Sequence, residues 1–133
     1  MNTKRLLISI FSCFAFVFVY EFVFHGILLK SMYQATIDAW RPESEMMQYM
    51  PFAAFSQFWF AATFCLIFAK FCSDKSLQTG VQFGLFMGLF AGAIQFGYYP
   101  YMPITLSLAL AWAVGSLVEG ACIGFILTKT YKN

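Results

Sequence analysis

The stretch YEFVFHG, residues 20 to 26, puts Glu21 and the chain's single histidine, His25, inside an apolar run that extends from 6 to 29. Ionisable groups in hydrocarbon cost about 2.5–3.5 kcal/mol each at mid-helix on insertion scales, so they face a bundle interior, a cavity or one another. Four residues apart on a helix, Glu21 and His25 share a face and can interact directly, either as a neutral hydrogen-bonded pair or as an ion pair. Three kinds of chemistry follow: a pair that fixes how the helix docks, a station in a proton or ion relay, or two ligands of a metal or haem. Gln57 and Gln95 fall in the same half of their own apolar runs, which makes a four-group polar cluster geometrically possible. Glu119 is expected deeper, toward the other face of the membrane, with Ser116 beside it and Gln82 as a neighbour. A relay would use Glu21, His25 and Glu119 as stations. A transition-metal site would need further ligands from Gln57, Asp38, Glu43 or Glu45, because there is only one histidine. No metal ligand set is assigned on this basis, and the cofactor is left unknown. Motifs of serine hydrolases, P-loops and zincins are absent, which favours a non-enzyme.

The elements that must position these groups are set by composition. Of 133 residues, 61% are hydrophobic and 11% charged, and 18 Phe, 7 Tyr and 3 Trp are more than the polar surface of a small soluble fold could hide. Four segments are apolar over the roughly 20 residues that a bilayer's hydrocarbon requires: 6–29, 51–69, 79–98 and 103–128. The fold class expected is all-α, a single polytopic membrane domain over 1–133 built as a four-transmembrane-helix bundle, with a loop at 30–50. Lys4 and Arg5 ahead of the first run resemble a secretory signal, but the apolar core is too long and no small-residue cleavage site follows. IFSC at 10–13 is a poor lipoprotein box because of the bulky Phe11, so an uncleaved first helix is expected. Lys4, Arg5, Lys70, Lys75, Lys129 and Lys132 fall on one side of the spans and only Lys30 and Arg41 on the other, which predicts both termini in the cytoplasm and the 30–50 loop outside. Cys13, Cys65, Cys72 and Cys122 then sit in the inner halves or at the cytoplasmic edge, away from the oxidising side, and read as small apolar fillers. The net charge of +2 is spread over both ends, which argues against nucleic acid as a partner.

Packing is legible in GVQFGLFMGLFAG, where Gly80, Gly84, Gly88 and Gly92 recur at every fourth position. Such a row forms a groove in which a second backbone approaches closely. Ala109, Ala111, Ala113, Gly115, Gly120 and Gly124 of the last span offer a matching surface, and the short connection between the two makes them antiparallel neighbours. A second copy of the chain is the alternative partner for the groove. Ala53, Ala54, Ala61, Ala62 and Ala69 give the second span a similar face. Trp40, Tyr49, Tyr98, Tyr99 and Tyr101 cluster at the outer boundary, where amphipathic rings are favoured as anchors. KSMYQATIDAW extends the first helix outward or forms a separate piece. Pro42 either ends that extension or starts a helix through ESEMMQYM that would carry Pro51 in its interior.

EFVFHGILLKSMYQATIDAWRPESEM (21–46) and LALAWAVGSLVEG (108–120) resemble a family of small four-helix bacterial inner-membrane proteins, through Glu21, His25, Gly26, Trp40, Arg41, Pro42, Glu43 and Glu119. The resemblance implies a bacterial plasma-membrane setting and no mechanism. The expected role is structural, accessory or binding, in contact with the lipid bilayer and within a homo-oligomer or a larger membrane complex. A small proton- or ion-coupled transporter is the alternative, and a metal- or haem-binding membrane protein the third.

Overall fold

The computed structural model describes residues 2–132, and among them every regular element is helical. The helices are α1 (Thr3–Val23), α2 (Lys30–Gln34), α3 (Glu43–Phe71), α4 (Leu77–Phe96) and α5 (Leu106–Thr130). A π-turn over Phe24–Leu28 prolongs α1, and a 3-10 turn over Ile37–Ala39 follows α2. Four helical stretches are long and apolar enough to cross a membrane: Thr3–Leu28, Glu43–Phe71, Leu77–Phe96 and Leu106–Thr130.

Side chains that satisfy otherwise unpaired backbone N–H groups mark where three of the long helices begin. Asn2 accepts from the Arg5 amide at 3.0 Å, Ser76 from Thr79 at 3.3 Å, and Thr105 from Leu108 at 3.2 Å. α3 instead starts at Pro42, which supplies a preset φ, with Glu43 and Glu45 in the positively polarised first turn. It therefore begins at Glu43 rather than at 51 and runs unbroken through Pro51. At its other end Lys75 donates to the Phe68 carbonyl at 2.9 Å and to that of Cys72, and burial lowers the Lys75 pKa.

The helices follow the spatial order α3, α1, α5, α4. α1 lies between α3 and α5, α4 and α5 form the most extensive contact, and α3 touches α4 only slightly. The α4–α5 seam is backbone against backbone. A Cβ built on Gly88 would lie 2.5 Å from the Ser116 carbonyl oxygen, on Gly92 2.8 Å from that of Ala113, and on Gly80 2.7 Å from that of Gly124. Gly84 and Gly120 face each other in the same way. Phe64 and Phe68 are buried in one core cluster with Cys13, Val17, Cys65, Ile123 and Leu127, toward the end of the bundle where the chain ends meet. All four cysteines are free. The chain ends meet: Ser9 Oγ donates to Thr130 Oγ1 at 2.8 Å, the Asn2 amide to the Tyr131 hydroxyl at 3.2 Å, and the Arg5 guanidinium to the Lys132 carbonyl.

Candidate functional site

The site begins where α1 stops being an α-helix. The Leu29 amide reaches back to the Phe24 carbonyl at 2.9 Å, the i→i+5 bond of a π-turn, a feature that recurs at functional positions. Phe24 lies against Gly115 so closely that any Cβ there would overlap its ring. Tyr20 stacks on Phe24 at 5.4 Å and donates to the Gly115 carbonyl at 2.8 Å. Gly115, expected on the face toward α4, thus serves α1 instead.

Glu21 and His25 are paired, with Nε2 3.3 Å from Oε2. His25 Nδ1 meets the Tyr33 hydroxyl at 2.5 Å, and the same hydroxyl accepts from Trp112 Nε1 at 2.8 Å. Indole is a donor only, so the Tyr33 hydroxyl accepts from Trp112 and keeps its own proton free for His25 Nδ1, an arrangement that suits an imidazole with its proton on Nε2, directed at Glu21. Burial pushes the Tyr33 pKa up to about 12, with the Glu21 charge adding and the Trp112 bond opposing, so this phenol stays protonated and able to donate at neutral pH. Trp40 packs edge-on to Tyr33 at 5.0 Å and to Trp112 at 6.0 Å, and its Nε1 donates to Thr36 Oγ1 at 3.0 Å. Trp40 is therefore part of this aromatic box, half-buried beside Leu29, Ile104 and Leu108, rather than a free boundary anchor. Tyr98, Tyr99 and Tyr101 are exposed, and Tyr49 lies under the Arg41 guanidinium at 4.2 Å.

On the other side of Glu21 is a partly open cavity of about 200 Å³, lined by residues of all four long helices. Its polar groups are Glu21, Gln57, Gln95 and Glu119, with Ser56 at one side, and its apolar wall includes Val17, Phe60 and Ala91. Glu119 therefore lines the same cavity as Glu21 and the two glutamines. The reason is geometric: α5 presents that residue inward, and it is only 5% exposed. Gln82 lies exposed on α4 and takes no part in the lining, and Ser116 is turned to the Trp112 carbonyl at 3.0 Å. His25 is absent from the lining and faces its aromatic partners. Among the described residues the buried oxygens Gln57 Oε1 and Glu119 Oε1 have no hydrogen-bond partner, an arrangement that costs about 1–3 kcal/mol for each neutral group and more for a charge. Among the described residues no three of His, Cys, Asp and Glu gather closely enough to hold a metal ion. Asp38, Glu43 and Glu45 are exposed, away from the cavity.

Sequence reasoning passed over Tyr33 and Trp112. The signal available was the indole N–H of Trp112 in the middle of an apolar span, a donor that requires a partner when buried. Comparison of the chain with protein-family models, with curated proteins and with solved structures finds no match.

Proposed function

We propose that this chain is a small integral membrane protein of the bacterial plasma membrane that acts as an accessory subunit of binding type, in a homo-oligomer or larger membrane complex, with both termini in the cytoplasm. The single observation that carries the reading is the cavity between the four helices, where Glu119 and Gln57 hold buried oxygens without partners. A polar residue in a span whose only task is docking is satisfied by its neighbours, as His25 is by Tyr33 and Glu21. Glu119 is not, and a ligand that supplies hydrogen-bond donors would complete it. The cationic residues support the orientation, since Arg5 and Lys132 of the chain ends gather around one cleft with Lys70 and Lys75 from the end of α3 and its connection to α4.

The sparse α3–α4 contact beside the cavity favours a second reading, a small proton- or ion-coupled carrier with Glu21 and Glu119 as its protonation sites. Native mass spectrometry of the full chain and of Glu119→Gln, released gently from detergent, tests the binding reading. A small non-lipid mass on the wild type that is missing from the variant supports it. Ordinary lipid alone on both overturns it, and proton flux into vesicles, abolished by Glu21→Gln, then decides for the carrier.

A further inference from the structure

The cavity's donor and acceptor inventory narrows what it can hold, and this step rests on the binding reading above. Every polar side chain that lines it carries acceptor oxygens, two of them carboxylates, while Gln57, Gln95 and Ser56 carry donors as well. Glu21 is already paired with His25 Nε2, whereas Glu119 Oε1 has no hydrogen-bond partner among the described residues. All the lysines and arginines lie near the ends of the spans or in the connections, so no protein cation is placed to neutralise Glu119. A buried carboxylate left unpaired is strongly destabilising, and the cost is offset either by taking up a proton or by a donor-rich cation. Gln57 Oε1, the second orphaned oxygen, is an acceptor for the same ligand. A bare metal ion does not fit, since two carboxylates and two amides around about 200 Å³ leave it too few close ligands and too much space. The volume is nearer to that of an engineered cavity of about 150 Å³ that holds benzene. Val17, Phe60 and Ala91 supply a wall suited to hydrocarbon.

We propose that the cavity binds a small alkylammonium, with the ammonium hydrogen-bonded to Glu119 and Gln57 and the alkyl body against Val17, Phe60 and Ala91. The carboxylate gives the charge preference, and the apolar wall limits the length of the alkyl group.

The test is calorimetric titration of the full-length protein in nanodiscs with n-butylammonium, and with 1-butanol and butyrate as probes of matched size and different charge. Saturable binding of butylammonium, weakened at least about tenfold by Glu119→Gln, with no heat from butyrate, is the expected result, since hydrogen bonds to charged groups are worth about 1.5–3 kcal/mol. Gln57→Leu, which removes only the second acceptor, should weaken binding by a smaller factor. Equal affinity for butanol and butylammonium, or full binding by Glu119→Gln, overturns the cation proposal and leaves a neutral-ligand cavity, so the binding reading survives. Absence of heat with all three probes overturns the alkylammonium proposal. The binding reading falls with it only if the native mass spectrum also carries nothing but lipid.

Discussion

Replacing Gly88 by alanine tests the α4–α5 seam with a single methyl group. That methyl would lie 2.5 Å from the Ser116 carbonyl oxygen and 2.9 Å from Leu117 Cα. Both obstacles are main chain and cannot rotate away, and carbon contacts settle at about 3.5–4.0 Å, so α5 must retreat by about 1 Å. A gap of that size forfeits a quarter to a half of each contact worth about 0.1–0.2 kcal/mol. Over roughly forty atom pairs in two turns of helix, the loss is about 2 kcal/mol. That lies within the range of about 1–3 kcal/mol typical of overpacked cores. Gly26→Ala is the internal control, since its added methyl meets only Phe22 ring carbons at 3.8 and 3.9 Å. Alanine there restricts the unfolded chain without a clash, so the variant should be unchanged or more stable by up to about 1 kcal/mol. Reversible unfolding in mixed micelles, followed by circular dichroism, reads both. The reasoning is refuted if Gly88→Ala unfolds at the wild-type midpoint, or if the two variants shift by the same amount in the same direction.

The Tyr33 hydroxyl serves two partners, so Tyr33→Phe should cost more than Trp112→Phe, by about 1 kcal/mol or more. The double variant should fall short of the sum, and additive losses would show that no shared hydrogen bond exists. Gly115→Ala should destabilise by about 1–3 kcal/mol and be partly rescued by Phe24→Leu, because the obstacle is that ring; failure of rescue in the same unfolding assay places the clash elsewhere. Asp74 accepts from Ser76 Oγ at 2.5 Å and from Thr79 Oγ1, and these bonds hold its pKa below the usual carboxylate value. A lowered folded-state value means stabilisation that is present above the ordinary carboxylate range and lost as pH falls through it. Amide exchange at Thr79 and Gly80 should therefore speed up in acid beyond its intrinsic pH dependence, and Asp74→Asn should remove that excess.

The four spans are legible in the sequence because they depend on length and hydropathy, which need no knowledge of neighbours. The spacing of Glu21 and His25 is equally local, and their 3.3 Å separation follows from one helix alone. What depends on two helices at once is harder to read. That Glu119 lines one cavity with Glu21, Gln57 and Gln95 could not be read without the tilt and offset of α5, which the sequence does not state. The part played by Gly115 turns on a π-turn in α1 that no residue pattern announces. Tyr33 and Trp40 sit in a segment too short and too polar to show a periodicity, and they are held inward by Trp112, which lies 79 positions after Tyr33.

The nesting of α1 between α3 and α5 also sets an order of events during synthesis. The chain emerges amino end first, so α1 enters the bilayer with its two ionisable side chains long before the helix that completes their surroundings exists. Tyr33, eight residues beyond His25, is at hand almost at once, whereas Trp112 arrives 79 residues after Tyr33. The phenol is thus an early escort for the imidazole, built into the same hairpin of chain. Closure of the fourth wall, and with it the finished cavity, waits for the last span to be inserted.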